Sequence, residues 1–300
     1  MYAPDPESIP DSTVAGLVYE LRPWQWYKQL VLFIPLVFSG SANEADAWLR
    51  VVVGAALFSA VAGSTYVLND ISDVEQDRNH PRKRHRPIAS GVVSVPFALV
   101  FAGGLYVLSG GLSWLLDPLF FGLVALYVGQ NVVYSYFLKQ YLFVDLLSIS
   151  AGFVIRAVAG IVLISVQLSP WLLLCTFLAA LLLGTSKRWG ERSDADDPTE
   201  IRENLDSYTT QTLRFIFMTV STMLLMAYSL YTFFARDLLM MLTIPFAFYA
   251  VFRYAHLTFA LEGDSEPIAL LLDRQILVNL LLWGITIVII LYRGSVGVSI

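Results

Sequence analysis

The chain has 300 residues, 57% of them hydrophobic and only 14% charged, with a formal net charge of -5. A soluble domain carries about 45–50% apolar and about 25% charged residues, so this composition excludes one and describes a protein that crosses a membrane repeatedly. One cysteine, Cys175, lies in an apolar run; it excludes an internal disulfide and a cysteine-built metal centre and reads as a small packing residue.

Residues 1–13 are polar and carry no basic stretch ahead of an apolar core, so they do not read as a cleaved signal peptide. The whole chain, 1–300, reads as one membrane domain with residues 1–20 as a polar N-terminal segment on the cytoplasmic side. About 20 apolar residues span a bilayer. On that measure nine spans are expected, at about 24–41, 48–69, 93–115, 117–138, 143–165, 169–187, 212–234, 237–260 and 275–293. The first is short and polar at its start, and only the corner Leu116-Asp117-Pro118 separates the third from the fourth.

Nine spans put the two termini on opposite sides. Of the 19 lysines and arginines, 15 fall in one set of loops, while Arg50, Arg236 and Arg293 lie on the other side and Arg156 within a span. The richer side is therefore expected to be cytoplasmic. The conspicuous polar motifs all fall on that face, which suits an interfacial enzyme with a soluble co-substrate better than a transporter, whose polar groups sit near the midplane.

In chain order, the first motif is Leu21-Arg22-Pro23-Trp24-Gln25-Trp26-Tyr27-Lys28. Its tryptophans suit the membrane interface, and Lys28 and Gln25 are candidates for the substrate side. The second span ends on Asn69-Asp70-Ile71-Ser72-Asp73-Val74-Glu75-Gln76-Asp77. Asp70, Asp73 and Asp77 are spaced i, i+3, i+7, and Asn69 and Asp73 i, i+4, so a continuing helix would gather them on one side. Oxygen ligands in this pattern suit magnesium, which takes a few carboxylates with water and phosphate oxygens. Asn69, Asp70, Asp73 and Asp77 are thus both the candidate catalytic residues and the candidate metal ligands.

The cationic run that follows holds Arg78, Arg82, Lys83, Arg84 and Arg86. It suits phosphate oxygens, although positive-inside anchoring accounts for part of it. The stretch Arg86-Pro87-Ile88-Ala89-Ser90-Gly91 reads as a structured turn. Tyr134 and Lys139 bracket the end of the fourth span and suit either a substrate site or interface anchoring. Arg156 lies well inside the fifth span, where a charge costs at least about 2.5 kcal/mol on insertion scales. It is expected to face a cavity and a phosphate, or else to pair with Asp145. After the sixth span, Lys187, Glu191 and Asp194 recur at i, i+4, i+7 beside Arg188, as a second substrate motif or as a surface Lys187–Glu191 pair.

Together the nine-span layout, the Asn-Asp-x-x-Asp-x-x-x-Asp motif, the Arg-Pro-Ile-Ala-Ser-Gly turn and the Tyr134/Lys139 pair resemble the UbiA superfamily of intramembrane prenyltransferases. The resemblance implies an all-α integral membrane protein, a UbiA-like bundle with a cytoplasmic loop cap in the plasma membrane, and a magnesium (Mg2+) cofactor. The superfamily carries a second aspartate-rich motif, where this chain reads Lys187-Arg188-Trp189-Gly190-Glu191. That departure, with Arg22-Pro23-x-Gln25-Trp26-x-Lys28, Arg253-Tyr254 and Asp273-Arg274, resembles the branch in which the diphosphate belongs to a soluble sugar. In that branch a phosphoribosyl group passes from phosphoribosyl pyrophosphate to decaprenyl phosphate, for arabinan cell-wall precursors. Lysine and arginine at the second motif would neutralise such a polyanionic assembly directly. The acceptor phosphate is already an anionic nucleophile and needs no general base. The alternative within the superfamily is transfer of a prenyl group from a prenyl diphosphate to an aromatic or haem acceptor. Nucleic acid is not an expected partner; the lipid bilayer is, and a homo-oligomer is compatible with the chain.

Overall fold

The computed structural model describes residues 12–80, 83–193, 205, 207–234, 238–260 and 272–293. Among these residues the structure is helical and contains no strand. The helices are α1 Thr13–Glu20, α2 Ile34–Phe38, α3 Ala45–Ser72, α4 Val74–Asn79, α5 Val95–Leu116, α6 Pro118–Tyr136, α7 Val144–Leu163, α8 Pro170–Ser193, α9 Thr210–Phe234, α10 Ile244–Ala260 and α11 Arg274–Tyr292. Short 3-10 segments join several of them.

Among the described residues eight helices are long and apolar enough to cross a membrane: α3, α5, α6, α7, α8, α9, Leu238–Ala260 and α11. They match the second to ninth expected spans within a few residues. The first expected span takes a different form, a 3-10 helix over Pro23–Phe33 that runs into α2. The cause is Pro35, which has no N–H to donate and would clash with the carbonyl one turn back in a continuous α-helix. The switch at Ile34 leaves Pro35 in the first turn of α2, where that N–H is not needed. At about 2.0 Å per residue for the 3-10 part and about 1.5 Å for the α part, the segment still extends roughly 30 Å.

The chain divides into two compact units, Met1–Leu36 with Ser41–Ser135 and Ile155–Val166, and Val37–Gly40 with Tyr136–Val154 and Gln167–Ile300. In the first unit the core gathers Leu32, Val51, Phe58, Phe120, Tyr127 and Leu163. Gly160 admits the chain at Leu32 so closely that a Cβ there would run into the Leu32 carbonyl oxygen. Outward, α5 and α6 expose Val107 and Leu115 by 78% and 81%. Two closed helices satisfy their own backbone, so apolar surface of this kind suits hydrocarbon rather than water.

In the second unit Leu178, Leu182, Phe217, Val220, Tyr254 and Ile276 form the core between α8, α9, α10 and α11. Its polar groups are tied internally: Asn279 Nδ2 donates to the Phe246 carbonyl at 2.9 Å, and Trp283 Nε1 to the Tyr228 hydroxyl at 2.9 Å. Asp273 caps α11, accepting the Gln275 and Ile276 N–H groups at 3.1 and 3.2 Å. That carboxylate also takes the Arg253 guanidinium at 3.0 Å, so two residues quoted above as motif signatures hold each other.

Candidate active site

The acidic motif does not continue as one helix. Asp73 ends α3 with φ −95° and ψ 8°, and α4 restarts at Val74. The break separates the three aspartates. Asp70 and Asp77, both buried, meet across Arg86, whose Nη1 lies 2.8 Å from one and 2.7 Å from the other. Asp70 also accepts Arg22 Nη2 on both carboxylate oxygens at 2.9 Å. Asp73 and Asn69 stay half-buried with no side-chain bond to the described residues.

Both arginines are held in place by the local chain. Arg22 adopts a left-handed backbone, φ 50° and ψ 62°, between α1 and Pro23, and its guanidinium stacks 4.8 Å above the Tyr66 ring. Arg86 opens the turn foreseen at residues 86–91, where Gly91, at φ +84°, supplies the conformation that lets its N–H reach the Ile88 carbonyl. The buried Glu20 pins the same turn by accepting the Ile88 N–H at 3.0 Å. Burial, with the Asp70 carboxylate beside it, pushes the Glu20 carboxyl up to about 8. Burial likewise holds the Asp77 carboxyl above its usual range, in spite of Arg86.

The side chains of Arg22 and Arg86 are anchored at Asp70 and remain 20% and 26% exposed. Gln25 extends the same patch, accepting Lys28 Nζ at 2.7 Å and the Tyr66 hydroxyl at 2.9 Å. Lys83 sits 4.0 Å from Asp77. Arg78 turns to Glu75 and the Ala89 carbonyl, and Arg84 to His85 on the surface. Among the described residues no three Asp, Glu, His or Cys side chains form a group able to hold a metal ion by themselves.

Arg156 is 5% exposed and has a third setting. Its Nε donates to Gln29 Oε1 at 2.9 Å and its Nη2 to the Tyr127 hydroxyl at 2.8 Å, with the charge 4.5 Å above the Tyr127 ring. Gln29 and Tyr127, neither marked in the sequence, thus accept a charge buried within a span. Tyr134 closes α6 and Lys139 lies exposed in the following 3-10 turn.

In the second unit the motif at the end of α8 is closed. Arg188 donates to Asp145 at 3.1 Å and to Glu191 at 2.6 Å, and its side chain is 2% exposed against 0% for Asp145. The Tyr208 hydroxyl donates to the other Asp145 oxygen at 2.6 Å and accepts the Phe143 N–H at 2.9 Å. Phe143 is held at φ +67°, which aims that N–H. Asp145, the acid that the sequence offered as a pair for Arg156, accepts from Arg188 and Tyr208. Glu191 pairs with Arg188. Lys187 is half-buried on α8, and Asp194 lies outside the described residues.

Sequence reasoning quoted Arg22 and Arg86 but did not foresee that both pair with Asp70. Their signal was an arginine directly before a proline, each following a helix or turn. Tyr208 had no such signal, being 63 residues from its partner.

Residues 30–280 match the model of the UbiA prenyltransferase family. The chain is 37% identical over 292 residues to the decaprenyl-phosphate phosphoribosyltransferase of Mycolicibacterium smegmatis, covering 91% of this chain and 92% of that protein. It is 35% identical over 288 residues to the enzyme of the same name from Mycobacterium tuberculosis, covering 93% and 95%. A UbiA homolog from Archaeoglobus fulgidus, solved with GPP and Mg2+, superposes with a TM-score of 0.69 at 15% identity over 95% of this chain and all of that one, a likeness of fold.

Proposed function

Because the chain belongs to the UbiA prenyltransferase family, we propose that it moves the 5-phosphoribosyl group from phosphoribosyl pyrophosphate to decaprenyl phosphate and releases pyrophosphate. One observation carries the reading: over more than nine tenths of its length the chain aligns with relatives that bear the name of that activity. The geometry supports it. Asp70 gathers two partly exposed arginines, the residue type that binds phosphate oxygens in pairs.

Arg22, Arg86 and Lys28 bind the diphosphate and phosphate oxygens of the donor. Asn69 and Asp73 are oxygen donors of the kind that magnesium takes when a substrate diphosphate and water complete its shell. Bound there, magnesium would neutralise the charge that builds on the departing pyrophosphate. Asp70 acts as the anchor of the two arginines. The bond from ribose C1 to the pyrophosphate oxygen breaks as a lipid phosphate oxygen bonds to C1 from the opposite face, so the configuration at C1 inverts. The acceptor oxygen is anionic already, and no side chain has to remove a proton. The active face is cytoplasmic, on the side richer in lysine and arginine.

The test uses purified protein, magnesium, decaprenyl phosphate and radiolabelled phosphoribosyl pyrophosphate. Label is expected in the organic phase. No label there, with prenyl transfer from a prenyl diphosphate to an aromatic acid, overturns the reading in favour of conventional prenyl transfer.

A further inference from the structure

A cavity of about 570 Å³ runs between α9 and the segment Leu238–Ala260. We propose that it holds the isoprenoid chain of a polyisoprenyl phosphate, with Arg214 at the phosphate end. This deepens the reading above, whose acceptor is such a lipid.

The size falls in the range of about 300–1,000 Å³ typical of small-ligand sites. Ser221 and Ala255 leave the space, Phe217, Val251 and Phe259 wall it, and Met218 and Phe252 stand exposed by 53% and 62% along its rim. An apolar groove with exposed apolar edges inside a membrane span is open to lipid.

Charge selects the lipid. Arg214 lies on the first turns of α9, at the polar end of the groove, with its guanidinium 5.7 Å from the Phe259 ring centroid and no ion pair among the described residues. A guanidinium at headgroup depth favours a phosphate. The groove also adjoins the second motif, since Trp189 packs edge-on against Phe259 at 4.7 Å.

The experiment places the protein in phosphatidylcholine nanodiscs with a diazirine-bearing farnesyl phosphate, illuminates, and maps the label by peptide mass spectrometry. Label is expected on residues 217–225 and 251–259, displaced by decaprenyl phosphate and not by phosphatidylglycerol. Ala255→Trp, which fills the groove, should cut labelling and raise KM for decaprenyl phosphate about tenfold, or about 1.4 kcal/mol, without moving KM for phosphoribosyl pyrophosphate. Arg214→Glu should retain labelling by the chain but lose the advantage of decaprenyl phosphate over decaprenol as competitor. Label confined to other helices, equal displacement by phosphatidylglycerol, or protection of these peptides by a second copy of the chain overturns the proposal. Wild-type protein that labels here but transfers no phosphoribosyl group overturns the function above and leaves this site standing; transfer with label elsewhere does the reverse.

Discussion

Asp70 and Asp145 each hold an arginine at about 3 Å, yet the two clusters are built for different ends. At Asp70 the acid is buried while Arg22 and Arg86 stay 20% and 26% exposed. At Asp145 the arginine itself is 2% exposed, and Tyr208 and Glu191 bond the pair as well. A charge pair taken fully out of water has to satisfy every lone pair internally. A pair that leaves one guanidinium edge open keeps binding capacity for a further anion. On the proposed function the first cluster presents cations to a ligand; the second ties the chain before α9 to the start of α7.

The largest expected effect tests the closed cluster. Arg188→Ala takes a guanidinium partner from the buried Asp145 and should cost about 3–5 kcal/mol of stability, read as a loss of folded protein in detergent thermal unfolding. A variant that melts with the wild type while losing only donor binding would move Arg188 to the substrate side. Next comes the acidic motif: Asp73→Ala should lower kcat by about 10²–10³, the scale for losing one preorganised stabiliser of transition-state charge, with the melting temperature unchanged. Near-normal turnover would remove Asp73 from the metal site.

Arg22→Ala should raise KM for phosphoribosyl pyrophosphate by the worth of one charged hydrogen bond, about 1.5–3 kcal/mol, and leave KM for decaprenyl phosphate in place. If it acts on stability alone, the contrast between the two clusters collapses. The smallest effect lies at the cap of α11. Asp273→Ala should cost about 0.5–2 kcal/mol as a lost N-cap. Hydrogen bonding to Arg253 holds the Asp273 carboxyl below its usual range. The share due to that pair is therefore present above the ordinary aspartate value of about 3.9 and is lost as pH falls through the lowered one. The difference between wild type and variant should shrink in melts run below about pH 4.

The sequence by itself determined the membrane class, the positions of eight helices, the turn at residues 86–91 and the acidic motif. Each rests on local signals: runs of apolar residues, and proline and glycine at turns. It also showed which face of the membrane collects the cations. It did not determine the form of the first span, because a single proline decides between one α-helix and a 3-10 segment joined to a short one. Nor did spacing determine the fate of the aspartates. The i, i+3, i+7 pattern assumed an unbroken helix, and the break at Asp73 sends Asp70 and Asp77 to Arg86 instead. Only tertiary structure chose the partners of Asp70 and Asp145. Those partners lie 48 and 63 residues away at Arg22 and Tyr208, and burial decides which charges must find one another.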